Sequence, residues 1–542
     1  MIRLLFGLMA TVLISTHSFA QEQPKLVVGI VVDQMKQEYL WRFYNDLGED
    51  GFKRLVEGGF MAKNGHYNYA STSTGPGHAS IYTGTTPSVH GIVNNSWYNR
   101  FIKEWLYCAG DSTVQAVGGS ARAGRISPAN LYSSTITDEL KLFTQRQGKV
   151  IAMSIKDRGS ALPGGHYSDG SYWYDSRTGN FMTSTYYKSE LPSWVKSFNA
   201  QKLPQRYLSQ TWELSKDINQ YTASGEDNSP YERGFAGKET PTFPYDLGEL
   251  ALKNGALGML PSTPYGNTIL TDLALEAIDQ EGLGQDEIPD FLAISYSSTD
   301  YIGHNFGPLS KEVHDTYIKL DQELARLLNK LDETVGEGNY VVFLSADHAV
   351  AENSKRMNDD GFRTNNIDFR AFGEYINTVV KEKYGNAEWF EISSGLDLFL
   401  NREVLAKKKV DLYQMQLFVS QKAMEFEGIY LAIPGIDMIR NSYNDQLRGL
   451  MQSAYHPKQS GDIKMILDPG WQSGGPKGTG HGNAWNYDTH IPVIFYGWGI
   501  NQGATSVREI HITDIAPTVS MLLNMRMTSG NTGTPIFEAL KN

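Results

Sequence analysis

Five short apolar runs most strongly constrain how this chain can fold. They are rich in β-branched residues and show no alternation of apolar and polar side chains, which is typical of strands that are covered on both faces. The runs are KLVVGIVVD (25–33), KVIAMSI (149–155), DFLAISYSSTD (290–300), NYVVFLSADH (339–348) and IPVIFYGWG (491–499). We therefore expect buried strands of a parallel sheet.

The segment between the third and fourth runs has a different period. SKEVHDTYIKLDQELARLLNKLDETVG places apolar residues three and four positions apart from Val313 to Leu331, which predicts a helix with one apolar face. Strand, helix and strand in succession predict a βαβ unit, so the fold class is α/β with helices flanking the sheet. The turn-rich stretch 164–187 predicts inserted hairpins, and the stretch 375–465 predicts a further peripheral subdomain.

Composition limits the kinds of partner and metal site. The 542 residues are 40% hydrophobic and 20% charged, as in a globular protein. With Cys108 as the only cysteine, an intrachain disulfide and a cysteine-based zinc cluster are excluded. The net charge of −12 argues against a protein that binds nucleic acid by neutralising phosphates. Any metal must therefore be held by aspartate, glutamate or histidine.

The first 20 residues have the pattern of a secretory signal peptide. Arg3 precedes an apolar run over residues 4–14, and Ser18-Phe19-Ala20 matches a cleavage site. No cysteine follows Ala20 and no later run is long enough to span a membrane, so we expect no membrane anchor and a periplasmic or secreted protein. Residues 21–542 are predicted to form one catalytic domain with insertions near 160–245 and 375–465.

Acidic residues stand at or just beyond the carboxyl ends of three predicted strands. They are Asp33, Asp300 and Asp347. In an open α/β sheet, ligands bind in the crevice outside these ends. A single aspartate there is readily explained as the cap of a loop, but three at equivalent positions predict a functional site.

Histidines accompany these aspartates at spacings suited to metal binding. His304 lies four residues after Asp300, on the same side of a helical turn, and His348 directly follows Asp347. His481 stands between glycines that allow a close approach of the backbone. One histidine alone is more often a structural residue, but carboxylates and imidazoles together are sufficient ligands for Zn²⁺.

The stretch NYASTSTGPGHASIYTG (68–84) places hydroxyl groups before Gly75-Pro76-Gly77 and the start of a predicted helix. Unpaired backbone N–H groups at a helix N-terminus favour an anion, so a hydroxyl held there is a candidate nucleophile for a phosphoryl or sulfuryl group. Taken alone, the stretch fits an ordinary Ser/Thr cap on a Gly/Pro turn better. Residues elsewhere in the chain are needed to distinguish a nucleophile from a helix cap.

These residues together resemble the two-metal constellation of the alkaline phosphatase superfamily. More narrowly, the chain resembles the bacterial phosphate-irrepressible alkaline phosphatases, which use threonine as nucleophile. The matching residues are Asp33, Thr74 in TGPGH, Asn95 in VNNSWYN, Lys156 and Arg158 in SIKDRGSALPGGH, Asp300, His304, Asp347, His348 and His481. The resemblance extends from residue 25 to residue 523, nearly the whole chain after the signal peptide.

The resemblance implies a role for each matched residue. Two zinc ions per chain are expected, one held by Asp300, His304 and His481. The other is expected to be held by Asp33, Asp347 and His348, with Thr74 completing its shell. Thr74 is then the nucleophile that forms a phosphothreonine. By the same resemblance, the transferred phosphoryl group is bound by Asn95, Lys156 and Arg158, since guanidinium and ammonium groups suit its oxygens.

The implied protein is a monomeric phosphomonoesterase with an alkaline-phosphatase-like, mainly parallel central sheet and inserted hairpin and cap subdomains. A phosphodiesterase or nucleotide pyrophosphatase on the same fold stays open, because only the residues that contact phosphate separate the two activities. A sulfatase is disfavoured because TGPGH lacks the Cys/Ser-x-Pro-x-Arg setting of its nucleophile. A non-catalytic phosphate- or metal-binding protein is the third alternative, and it needs no nucleophile.

Overall fold

A computed structural model describes residues 23–541, so the predicted signal peptide at 1–20 lies outside the described residues. Its largest element is a ten-stranded mixed sheet. From one edge to the other, the strands are Ala504–Ser506, Phe60–Ala62, Val493–Gly497, Tyr340–Ser345, Leu26–Val32, Asp290–Tyr296, Val150–Ser154, Gly170–Asp175, Asn180–Ser184 and Ala116–Val117. All five predicted strands are confirmed, and all lie in this sheet.

The strand Leu26–Val32 lies in the centre of the sheet, and every one of its residues is buried. It pairs in parallel with Asp290–Tyr296 on one side and with Tyr340–Ser345 on the other. The strand Val493–Gly497, expected to be parallel, instead runs antiparallel to Tyr340–Ser345. That expectation was wrong because a run buried on both faces has the same residue pattern in either direction.

Helices cover the sheet. Those of eight residues or more are Thr74–Thr83, Ile136–Phe143, Asp157–Gly164, Ser193–Ala200, Tyr265–Glu281, Ser298–Phe306, Lys311–Thr334, Phe369–Tyr384, Leu412–Ala423, Gln446–Ser453 and Ile515–Leu522. The amphipathic helix predicted from the 3–4 spacing is confirmed as Lys311–Thr334, and the Ser310 hydroxyl caps it by accepting a hydrogen bond from the Val313 N–H. Within residues 23–541, no helix has both the length and the apolar character needed to cross a membrane.

The turn-rich stretch at 164–187 contains the strands Gly170–Asp175 and Asn180–Ser184, which form a hairpin. This hairpin continues the central sheet, because Gly170–Asp175 pairs in parallel with Val150–Ser154. Trp173 is buried there, and its indole N–H donates to the Ala123 carbonyl. Trp173 and the likewise buried Tyr174 therefore pack within the folded chain.

Residues 366–473, called the second unit below, contain a separate four-stranded sheet. Its strands are antiparallel, in the order Phe390–Ile392, Asp397–Leu400, Ile463–Leu467 and Ile429–Pro434. Phe372, Trp389 and Met415 belong to its own hydrophobic cluster. A two-stranded hairpin of the main unit at 96–107, called the rim hairpin, is made of Ser96–Asn99 and Glu104–Tyr107.

Candidate active site

Three buried carboxylates meet beyond the carboxyl ends of the central strands. Asp33 directly follows Leu26–Val32, Asp347 follows Tyr340–Ser345, and Asp300 lies in the first turn of the helix Ser298–Phe306. Because the three strands are neighbours in the sheet and run in parallel, their carboxyl ends share one edge. The sheet thereby brings together side chains that are more than 300 positions apart in the sequence, as the hydrogen bond from the Gln34 N–H to Asp347 illustrates.

Three histidines face these carboxylates, and each directs its Nδ1 atom to a backbone carbonyl. The Nδ1 atoms of His304, His348 and His481 lie 2.8, 2.9 and 2.7 Å from backbone carbonyl oxygens of Thr479, Ala349 and Thr72, respectively. A carbonyl oxygen only accepts, so each Nδ1 carries the proton and donates it. In the neutral ring the lone pair then resides on Nε2, which is the arrangement found in metal-ligating histidines.

The ligand atoms form two groups. Asp300, His304 and His481 offer atoms within 4.8 Å of one another, and so do Asp33, Asp300 and His348. Asp347 Oδ2 lies 3.5 Å from His348 Nε2, so Asp347 borders the second group. The six aspartates and histidines predicted as metal ligands are therefore together, and Asp300 faces both groups.

Several of these buried atoms have no partner. Asp33 Oδ1, Asp347 Oδ2 and His348 Nε2 make no hydrogen bond although they are inaccessible to solvent. Leaving a buried polar atom unpaired costs roughly 1–3 kcal/mol, and native proteins rarely do so without a reason. Carboxylate oxygens and imidazole nitrogens are common ligands of Zn²⁺. These three atoms therefore fit a site for bound cations.

The Lys156 ammonium group lies among the carboxylates. Its Nζ is 2.7 Å from Asp33 Oδ2 and 2.6 Å from Asp300 Oδ2. One ammonium faces three carboxylates here, and burial lowers the pKa values of His348 and His481, which favours the neutral form of these two rings. The site therefore holds an excess of negative charge that additional cations would neutralise.

The pKa values reflect this crowding. Burial, together with the neighbouring Asp347, raises the pKa of Asp33 well above its ordinary value despite Lys156. Burial also raises the pKa of Asp300, but the positive charges of His304 and Lys156 outweigh it and hold that pKa well below normal. Burial lowers the pKa of His348 to about 3, which keeps this ring neutral and able to act as a ligand.

Thr74 is the first residue of the helix Thr74–Thr83 and is buried. Its Oγ1 accepts from Arg158 Nη2 at 3.3 Å and from Lys156 Nζ at 3.5 Å. Ser73, at the N-cap position, makes no side-chain capping bond, so the ordinary cap does not account for the hydroxyls here. Gly77 is required by a close approach, because a Cβ at this position would lie 2.2 Å from the Asp347 carbonyl oxygen.

Asn95 and Arg158 stand on either side of the start of this helix. The Asn95 Oδ1 accepts a hydrogen bond of 2.6 Å from the Gly75 N–H. Arg158 Nη1 donates to the Tyr107 hydroxyl at 3.1 Å, and that hydroxyl in turn donates to Asp157. Lys156 and Arg158 therefore contact Thr74, and Asn95 contacts the next residue, Gly75. The role of the three in binding a phosphoryl group stays a prediction.

Sequence reasoning missed two residues that contact the predicted site residues. Gln34 donates from Nε2 to Asp300 Oδ1 at 2.6 Å, and its backbone N–H donates to Asp347 Oδ1 at 3.1 Å. Tyr107 holds Arg158 as described above. Gln34 carries a weak sequence signal because it directly follows Asp33, whereas Tyr107, in the partly buried rim hairpin, carries none.

The sequence matches the model of a known protein family. The family model described as type I phosphodiesterase / nucleotide pyrophosphatase matches residues 27–491. This range includes every residue that the sequence analysis assigned to the site.

Two relatives are similar over almost their whole length. A protein of Myroides odoratus named calcium-transporting ATPase is 43% identical, over 96% of this chain and 95% of its own length. Alkaline phosphatase PafA of Elizabethkingia meningoseptica is 42% identical over 96% of this chain and 95% of its own. The crystal structure of wild-type PafA superimposes with a TM-score of 0.92, covering 96% of this chain and 100% of that one.

Proposed function

The chain belongs to the type I phosphodiesterase / nucleotide pyrophosphatase family within the alkaline phosphatase superfamily, and we propose that it is a metal-dependent alkaline phosphatase that hydrolyses phosphate monoesters to an alcohol and inorganic phosphate. The observation that carries this proposal is the position of Thr74. Its buried hydroxyl accepts hydrogen bonds from Lys156 and Arg158 beside two groups of carboxylates and histidines.

The proposed cofactor is zinc, with two ions per chain. Asp300, His304 and His481 would hold one, and Asp33, Asp347 and His348 the other, with Thr74 completing the second set. Bound zinc lowers the pKa of a coordinated oxygen and stabilises negative charge on the attacking and leaving oxygens of a displacement. The unpartnered atoms of Asp33, Asp347 and His348 support this assignment.

In the proposed reaction, Thr74 Oγ1 releases its proton to solvent and forms a bond to phosphorus, while the bond from phosphorus to the ester oxygen breaks. The alcohol leaves and takes up a proton from solvent. Water then attacks the phosphothreonine, which releases inorganic phosphate and restores the threonine hydroxyl. Arg158 can meet two non-bridging oxygens with its planar guanidinium, and Lys156 adds a point charge.

The two cations favour a monoester over a diester. A monoester presents a dianionic phosphoryl group with three non-bridging oxygens, whereas a diester is a monoanion whose second ester group needs space. Lys156 and Arg158 compensate the greater charge and occupy volume beside Thr74. The nucleotide pyrophosphatase alternative, which the name of the family keeps open, requires the opposite preference.

The test is the ratio of kcat/KM for an aryl phosphate monoester to that for a matched diester, at equal metal content. We expect the wild-type protein to prefer the monoester. Each charge-assisted contact contributes about 1.5–3 kcal/mol, so the Lys156→Ala/Arg158→Ala variant should lose roughly two to four decades of monoesterase activity and much less diesterase activity.

A wild-type preference for the diester would reassign the substrate class. An unchanged ratio in the double variant would show that Lys156 and Arg158 hold the fold or the metals instead. Arg177→Ala, an arginine outside the set around Thr74, is the matched control. ATP belongs in the substrate panel because the relative from Myroides odoratus is named an ATPase.

The proposed location is the periplasm or the medium, after removal of residues 1–20, and the proposed state is a monomer. The secretory pattern of the first 20 residues supports the location. N-terminal sequencing of exported protein tests the cleavage after Ala20, and sedimentation of the purified protein tests the monomer.

A further inference from the structure

We infer that the cleft between the rim hairpin and the second unit receives the leaving group of the substrate, that this group is a neutral aromatic alcohol, and that Trp105 selects for it. The cleft has a volume of about 350 Å³. This inference rests on the proposed phosphatase activity and adds the substrate class.

The inner end of the cleft is formed by residues of the active site. Asn95 and His481 line it together with Ser73, the residue before Thr74. A phosphoryl group bound by Asn95 next to Thr74 therefore has the cleft as its open side. The substituent that leaves phosphorus has space to extend there, which is why we assign the cleft to the leaving group.

The walls of the cleft are aromatic on both sides. Trp97, Tyr98 and Trp105 come from the rim hairpin, and Phe369 and Phe399 come from the second unit. The Tyr98 ring meets Phe399 edge to face at 5.2 Å and Trp105 at 6.3 Å. Walls of this kind favour a flat ring, because aromatic pairs gain stability from edge-to-face and offset stacking as well as from burial.

Trp105 is the most exposed of the aromatic wall residues. It is 62% exposed, whereas Trp97 is 5% and Phe399 3% exposed. A large aromatic side chain left open at the mouth of a cavity beside a reaction centre is a typical ligand contact. A ring entering the cleft would cover Trp105, so the gain from an aromatic leaving group is expected to depend on this residue.

The charges of the cleft favour a neutral leaving group. Asp397 lines it, with Oδ1 accepting from the Gly461 N–H and Oδ2 from Lys464 Nζ. Among the described residues that line the cleft there is no lysine or arginine. A leaving group with a second phosphate or a carboxylate would find no cation among these lining residues, because the nearby Lys464 is already paired with Asp397.

The walls are held in place before a substrate arrives. Arg100 Nη1 of the rim hairpin donates to both oxygens of Asp462 in the second unit at 3.1 Å, and Trp97 Nε1 donates to Gln459 at 2.8 Å. A preformed cleft loses little entropy when a ligand binds. Selectivity for an aromatic ring should therefore appear directly in kcat/KM.

The experiment compares 2-phenylethyl phosphate with ethyl phosphate on the metal-loaded, full-length protein. Both release primary alcohols of similar acidity, so the ratio of their kcat/KM values reports the contact with the ring. We expect the wild type to prefer the phenylethyl ester, and Trp105→Ala to lower that ratio about fivefold to tenfold. Trp105→Phe should retain most of the preference because it keeps an aromatic face.

Phe101→Ala is the matched control, because Phe101 is 71% exposed on the same hairpin and does not line the cleft. It should leave the ratio unchanged. A Trp105→Ala ratio equal to the wild-type ratio would overturn the inference while leaving the phosphatase proposal intact. Failure of the wild type to hydrolyse either ester would instead contradict the phosphatase proposal itself.

The preference for a neutral leaving group is measured with a charged ester. Adding a para-carboxylate to the phenylethyl ring should lower kcat/KM, and Asp397→Asn should recover part of the loss. If the carboxylated ester were turned over as well as the neutral one by the wild type, the assignment of a neutral leaving group would be wrong.

Discussion

Two buried carboxylate networks, one at the edge of the central sheet and one in the second unit, differ in how completely their oxygens are used. Asp462 in the second unit accepts from Arg100, Arg402, Gln416 and the Leu400 N–H. At the sheet edge, Asp33 and Asp347 each keep an oxygen without a partner. The saturated network stabilises structure, whereas the unsaturated one has capacity left for a ligand.

This difference predicts where substitutions act. Substitutions of the site residues at the sheet edge should remove activity with little loss of stability, because some of their polar atoms make no hydrogen bond that stabilises the fold. Changes at Asp462 should act mainly on stability. The following predictions test that division, beginning with the largest expected effect.

The largest effect is expected for Thr74→Ala. Removing the hydroxyl removes the proposed nucleophile, so turnover of phosphate monoesters should fall by several orders of magnitude and no phosphoenzyme should form. Thr74→Ser should retain part of the activity because it keeps a hydroxyl. The measurements are initial rates and acid trapping of labelled phosphate on the protein. Labelled phosphate trapped on the alanine variant would rule out Thr74 as the nucleophile.

Metal removal should also abolish activity. Chelation followed by dialysis should leave an inactive protein that recovers with Zn²⁺ as about two ions bind per chain. Atomic emission gives the metal content and a phosphatase assay gives the recovery. The control is His511→Ala, because His511 lies outside the two groups of ligand atoms. This variant should bind as much zinc as the wild type. Full activity of the metal-free protein would contradict the assignment of both groups.

Asp462→Asn should act on stability instead. Neutralising a buried carboxylate that faces two arginines should lower the free energy of unfolding by about 3–5 kcal/mol, measured by urea denaturation. Glu403→Gln provides the contrast, since the Lys103–Glu403 pair is exposed and such pairs contribute about 0–1 kcal/mol. Equal losses in the two variants would remove the distinction between the saturated network and an ordinary surface pair.

The smallest effect is expected for Tyr107→Phe. It removes the hydroxyl that accepts from Arg158 and donates to Asp157, and one net hydrogen bond corresponds to about 0.5–1.5 kcal/mol. Monoesterase kcat/KM should fall roughly twofold to tenfold. In the Arg158→Ala background the same change should have almost no effect. Additive losses would show that Tyr107 acts by a route other than Arg158.

The sequence carried enough information for the central sheet and for the metal-binding candidates. Apolar runs predicted the five strands, 3–4 spacing predicted the helix Lys311–Thr334, and a strand-end aspartate followed by histidine at a fixed spacing identified Asp300 and His304. These signals are local, because each depends on residues within one element. The grouping of the site residues around Thr74 came from the family resemblance.

Other features depend on contacts between distant segments, and no local pattern encodes them. The antiparallel direction of Val493–Gly497 is set by its connection in the chain, and Tyr107 meets Arg158 only after the rim hairpin folds against the helix Asp157–Gly164. The cleft beside the active site likewise needs both the rim hairpin and the second unit. In the sequence, its aromatic residues cannot be told from ordinary core residues, because the cleft forms only where the rim hairpin meets the second unit.

The tethering of the three histidine rings to backbone carbonyls makes the site robust to mutation. The acceptors are main-chain oxygens of Thr72, Ala349 and Thr479, and every amino acid supplies the same oxygen. Substitutions at these three positions can therefore change the side chain without removing the group that orients each imidazole. Sequence change is thus tolerated at the three acceptor positions, whereas the histidines themselves cannot be replaced without loss of the ligand.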